Sequence, residues 1–135
     1  MDLQKLVDSM NETSRLTRAQ YQLTLGGLIE RLENVDGAAS VSFGNGIAPG
    51  NPESYRGYYS DLAFEPSSDP VSAADLLAIC RGALGQTFEG YKGGDFVMSD
   101  DTPLWLSDYG IASGIAIMDV IDNGDSVLLA TKQID

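Results

Sequence analysis

Residues 70–85, PVSAADLLAICRGALG, carry the clearest helix in the chain, and the segments on either side of them read as strands. Ser72 offers a hydroxyl as N-cap and Asp75 stands at the third helical position, close to a capping box, while Val71 can staple to Leu76. Gly85 supplies the stop. Leu76, Leu77, Cys80, Ala83 and Leu84 recur on one helical face, so the spacing predicts a helix over residues 72–84 packed through Leu76, Leu77, Cys80 and Leu84. On that stripe Cys80 reads as a packed thiol rather than a nucleophile.

Working outward, Tyr55 to Phe64 reads as one aromatic-rich strand closed by Pro66, Ser67, Ser68 and Pro70, and further strands are expected over Thr87–Met98 and Leu104–Tyr109. Ile115–Ile121 and Val127–Thr131 face each other across Asp122, Asn123, Gly124 and Asp125, which is strong hairpin chemistry. Toward the N-terminus, Ala39 to Phe43 alternates as a half-buried strand and Gly44 to Pro52 reads as a loop. A second helix is expected from a Thr24 cap through Leu25, Leu28, Ile29 and Leu32, ending at Asn34, Asp36 and Gly37. Gly26 and Gly27 in its first turn each cost about 0.8–1 kcal/mol relative to alanine, which implies the close approach of another backbone. Leu3, Leu6, Val7 and Met10 form a narrow apolar stripe that weakens after Asn11, Thr13 and Ser14. The expectation is a single α+β domain over residues 1–135, a mainly antiparallel sheet covered by two or three helices. Residues 1–20 form an amphipathic arm, either docked or reserved for a partner. The arm and the paired glycines together predict a homo-oligomer.

The 135 residues hold 20 acids against 8 Lys and Arg, a net charge of −12, which disfavours nucleic-acid binding. With no histidine and one cysteine, catalytic triads, zinc sites and disulfide scaffolds are excluded. No apolar run reaches the ~20 residues of a membrane span and no signal-peptide core is present, so a cytoplasmic protein is expected, without membrane contact.

Three clusters can carry chemistry. In Ser54-Tyr55-Arg56-Gly57-Tyr58-Tyr59, Arg56 is one of four cations in the last 80 residues and sits among tyrosines. Such a guanidinium either binds a phosphate or carboxylate bidentately beside stacking rings, or bridges to an internal acid. Around Tyr91-Lys92-Gly93-Gly94-Asp95, glycines let backbone amides approach an anion while Lys92 adds charge. Without Gly-x-x-x-x-Gly-Lys-Ser/Thr before a helix this is no Walker A loop, and the glycines equally fit a bulge or twisted edge strand. In Asp100 to Gly110, Trp105 lies on the sheet face opposite Leu104 and Leu106, and either face can be the core. Asp100 and Asp101 read as turn residues rather than metal ligands, and no carboxylate pair stands at a spacing that fixes a catalytic acid and base.

The segments LTLGGLIERLE, SYRGYYSDLAFEP, LLAICRGALGQTFEGYKGGDFVM and TPLWLSDYG resemble a family of small proteins carried by bacteriophages and prophages, over roughly residues 22–110. The functional label that resemblance implies is the Thoeris anti-defence 1 type of nucleotide sponge, compact α+β proteins that assemble as oligomers and sequester cyclic ADP-ribose-like signals. It assigns no residue roles, so the ligand-binding set rests on cluster chemistry: Tyr55, Arg56, Gly57, Tyr91, Lys92, Gly93, Gly94, Asp95, Trp105 and Tyr109. The expected function is sequestration of a small nucleotide in the host cytoplasm, with no catalytic residue, cofactor or metal. The alternative is an acidic inhibitor that binds a host defence protein directly, steered by its charge.

Overall fold

The computed structural model describes residues 2–134. Among them the chain order is α1 (Leu3–Arg18), α2 (Leu25–Glu33), β1 (Ser40–Phe43), β2 (Ala48–Tyr55), β3 (Tyr58–Ser67), β4 (Val71–Ser72), α3 (Ala73–Ala83), β5 (Thr87–Glu89), β6 (Asp95–Val97), β7 (Leu104–Asp108), β8 (Ile111–Asp122) and β9 (Ser126–Gln133). Seven strands form one sheet in the order β2-β3-β7-β8-β9-β1-β4, and β5 and β6 make a separate hairpin. The architecture is α+β, with a mostly antiparallel but mixed sheet. The expectation of a mainly antiparallel sheet covered by two or three helices holds in this coarser form, but the sheet is mixed, since β3 pairs β7 and β1 pairs β9 in parallel. Parallel neighbours need long crossovers, and both sets of intervening elements supply them.

The helix signals act as their chemistry requires. Thr24 accepts from the Gly27 amide and Ser72 from the Asp75 amide, capping α2 and α3. Leu25, Leu28 and Leu32 of α2 and Leu76, Cys80 and Ala83 of α3 are buried with Val41, Phe43, Leu62, Phe64, Leu104, Ile117, Val120, Val127 and Leu129 of the sheet in one core. Leu77 only borders that core and Leu84 is exposed, because Leu84 leaves the helix at ψ 123° before Gly85 turns with φ +79°. The close approach expected at Gly26 is intramolecular. A β-carbon there would stand 2.8 Å from the Asp100 carbonyl oxygen, which accepts the Gly26 amide.

Three local expectations fail for identifiable reasons. The segment from Gly44 to Pro52 is not all loop, because an edge strand tolerates Pro49 and Pro52, which flank an irregularity in the β2–β3 register. The single strand over Tyr55–Phe64 is instead a hairpin that turns at Arg56 and Gly57, between the paired Tyr55 and Tyr58. Likewise Thr87–Met98 folds back on itself, with Gly90 and Gly94 closing the tip of the β5–β6 hairpin. At the N-terminus, α1 runs through Asn11 and Thr13 to Arg18 with no buried residue.

The second sheet face has its own small cluster of Tyr55, Ala63, Trp105 and Ala116, with Met118 against it. Leu104 and Trp105 are therefore both core, one on each face. The register Glu53–Ala63–Trp105–Ala116–Lys132 runs straight across this face.

Candidate functional site

Three hairpin tips meet at one end of the second face. Arg56, in the β2–β3 turn, lays its guanidinium flat over the Tyr91 ring of the β5–β6 hairpin, 3.7 Å from the centroid. On its way it passes Gly110 of the β7–β8 turn, where a β-carbon would stand 3.7 Å from the Arg56 Nη2 atom. That turn is built from two left-handed residues, Tyr109 at φ 49° and Gly110 at φ 83°, as the tight hairpin between the paired Asp108 and Ile111 demands. A side chain at position 110 would be strained and would crowd the guanidinium. Tyr91 and Tyr109 remain 65% and 79% exposed, so two rings and one guanidinium are open to solvent together. Among the described residues Arg56 has no carboxylate within ion-pair distance, whereas Arg15, Arg18, Arg31 and Arg81 all do.

Beside Arg56 lies a carboxyl pair that sequence reasoning missed. The Ser107 hydroxyl lies 2.9 Å from Glu53 Oε1 and 3.2 Å from Glu65 Oε1, and it accepts the Gly110 amide. Burial and the hydrogen bond with Glu65 push the Glu53 carboxyl up to about 7, against the opposing pull of Ser107 and Arg56. Glu53 thus keeps a proton up to near neutral pH and can donate a hydrogen bond where an ordinary carboxylate only accepts. Glu53, Glu65 and Ser107 come from three strands, and only the β2–β3 and β3–β7 registers, which no local spacing reveals, bring them together.

Of the remaining sequence-derived residues, Gly57 is required by its surroundings, since a β-carbon would lie 2.7 Å from the Tyr55 ring. Lys92, Gly93, Gly94 and Asp95 are exposed in the hairpin that carries Tyr91, and Gly93 and Gly94 take φ of 92° and 87° to make its tip. Tyr55 and Trp105 lie beneath the tips, stacked on each other at 4.5 Å and 4° and only 2% and 1% exposed. Their rings have no free face for a ligand. The Tyr55 hydroxyl accepts the Gly114 amide, and the Trp105 indole donates to Asp61.

Asp61 anchors a second network missed in the sequence. It is fully buried and receives Arg18 Nε and Nη2 at 2.7 and 2.8 Å, with the Trp105 indole at 2.8 Å. Burial pushes its carboxyl up, and Arg18 and Trp105 oppose the shift. Arg18 also lies 3.8 Å over the Tyr58 ring. Together with Arg15, which pairs with Asp101, this docks the C-terminal turns of α1 on the body. Asp101 is thereby tied into structure, and burial pushes the Cys80 thiol up to about 12, which leaves it inert.

The site stands on its own geometry. No family model, curated protein or solved structure matches this chain. Among the described residues no helix is long and apolar enough to cross a membrane, and no group of His, Cys, Asp and Glu is arranged to hold a metal ion.

Proposed function

We propose that this chain is a non-catalytic binding protein that holds a small nucleotide at the meeting point of the three hairpin tips. Its role, following the phage-family resemblance, is to sequester a cyclic nucleotide signal during counter-defence. The observation that carries the reading is Arg56: in a chain with 20 acids its guanidinium lies on an exposed tyrosine without an ion pair to a described carboxylate. Stacking fixes the plane of the guanidinium and leaves its edge free, which suits bidentate capture of a phosphate. Lys92 adds a mobile charge from the same hairpin as Tyr91, Tyr109 offers a ring to a base, and the Glu53–Glu65 pair can accept sugar hydroxyls. A nucleotide is the common small molecule that offers all three groups at once.

Calorimetric titration with cyclic ADP-ribose isomers tests the reading. Wild-type protein binds, and Arg56→Ala weakens binding roughly 10- to 100-fold, the worth of one to two charge-assisted hydrogen bonds. Arg56→Lys rescues poorly because it lacks the fork. Since the site is exposed, affinity falls with added salt. If no nucleotide binds the wild-type protein, the reading fails and direct inhibition of a host protein takes its place.

A further inference from the structure

A cavity of about 170 Å³ separates α1 from β3 and the β5–β6 hairpin. Asn11, Ser14 and Arg18, spaced to share one face of α1, form one wall, and Tyr59, Ser60 and Phe96 form the other. We propose that this cavity is a binding site for an uncharged planar heterocycle with the donor and acceptor edge of a nucleobase. Its residues are not those of the Arg56 edge, and the inference stands whether or not a phosphate is captured there.

Charge selects a neutral ligand. Among the described residues Arg18 is the one charged side chain that lines the cavity, and the buried Asp61 already matches its guanidinium through Nε and Nη2. No acid lines the walls to hold a cation. Nor is there an unmatched cation to hold an anion against a net charge of −12.

Size and edge select a heterocycle. A cavity on the order of 150 Å³ takes a benzene-sized ring, so this space suits one ring system rather than a whole nucleotide. The Tyr59 and Phe96 rings, with centroids 5.9 Å apart and planes at 33°, make an aromatic corner against which a flat ring can stack. A hydrocarbon would fill the space but would displace water from polar groups without replacing its hydrogen bonds. The Asn11 amide and the Tyr59 hydroxyl have no hydrogen-bond partner among the described residues, and Ser14, which accepts from Arg18, keeps its own proton to donate. An amide offers one edge with a donor and an acceptor, and adenine takes an asparagine in that bidentate way.

The docking of α1 is an independent reason to expect an occupant. The helix buries no residue and is held to the body by Arg15 and Arg18. Helices draw most of their stability from tertiary packing, yet the middle of this one faces a cavity instead of a core. A ring seated there touches both walls and tightens α1 on the body.

Calorimetric titration of the full chain with free adenine tests this, with indole as a ring of similar size lacking the acceptor edge and inorganic phosphate as the anion. Wild-type protein binds adenine saturably below about 10 mM, as a fragment-sized ligand should, binds indole at least ~10-fold more weakly, and is not competed by phosphate. Asn11→Ala weakens adenine about 10-fold, the worth of one or two hydrogen bonds, and leaves the unfolding transition in place because Asn11 is exposed. Asn11→Trp fills the cavity and abolishes binding. Adenine slows amide hydrogen exchange over residues 3–18 in wild type and not in Asn11→Trp. Arg56→Ala leaves adenine binding unchanged. Indole bound as tightly as adenine, full binding by Asn11→Ala, or loss of adenine in Arg56→Ala overturns the proposal. So does the absence of adenine binding by wild type; if that protein still captures a nucleotide, the Arg56 reading survives without this one, and adenine binding without nucleotide capture gives the reverse.

Discussion

Replacing Arg18 with Met should strip the buried Asp61 of its counter-charge while keeping most of the aliphatic stem that covers Tyr58. Asp61 is fully buried, and two of its hydrogen bonds come from Arg18. Breaking a buried pair by removing one partner costs about 3–5 kcal/mol, and the Trp105 indole bond that remains places this case near the lower end. The lost stacking on Tyr58 adds a fraction of a kcal/mol at this partly open position. Asp61 can escape the penalty by taking up a proton, so the loss is smaller at pH 5 than at pH 8. Urea unfolding followed by the emission of Trp105, the single tryptophan, measures the loss and reports directly on the indole bonded to Asp61. Combining Arg18→Met with Asp61→Asn should cost less than the sum of the two single changes, since the amide still accepts from the indole without a stranded charge. A loss below ~1 kcal/mol, as for a surface pair, and the same at both pH values, would refute the buried-pair reasoning.

Two further outcomes follow from the packing and the carboxyl pair. Leu76→Ala should cost about 2–5 kcal/mol in urea unfolding and Leu77→Ala clearly less, because Leu76 is fully buried and Leu77 only borders the core. For Glu53 the folded carboxyl sits at about 7, above its ordinary 4.5, so the stability it contributes is complete below pH 4.5 and is lost as pH rises through 7. Glu53→Gln removes that dependence: wild type and variant diverge progressively between pH 5 and 8 in favour of the variant, and parallel stability curves would contradict the raised Glu53 carboxyl.

What the sequence made legible is what local chemistry controls. Thr24 and Ser72 cap where their hydroxyls allow, the Asp122–Asp125 turn closes β8 on β9, and the stripe of α3 faces the core because its period is helical. What it hid is long-range register. Residues 48–55 hid an edge strand behind two prolines, and Arg56-Gly57 hid a turn inside an apparently continuous aromatic run. The same blindness covers the site. Arg56 and Tyr91 stand out as residue types, but that one lies on the other depends on how the separate β5–β6 hairpin sits against the β2–β3 turn, and that Glu53 and Glu65 share Ser107 depends on strand pairing with a segment more than 40 residues away.

The two networks on the second face also explain why the residues chosen for stacking divide as they do. Tyr55 and Trp105 stack on each other, buried on the second face, so their rings serve as packing and one indole proton serves Asp61. Burying them there supports the β2–β3 turn from below, where Gly57 meets the Tyr55 ring and Arg56 is carried outward toward Tyr91. The exposed aromatic surface then has to come from the turns, and Tyr91 and Tyr109 supply it from the two neighbouring tips. A ring held on a turn above a rigid aromatic floor can adjust to a ligand without disturbing the core. For that reason Tyr91→Ala should loosen Arg56 and weaken ligand capture while the Trp105-reported unfolding transition stays in place.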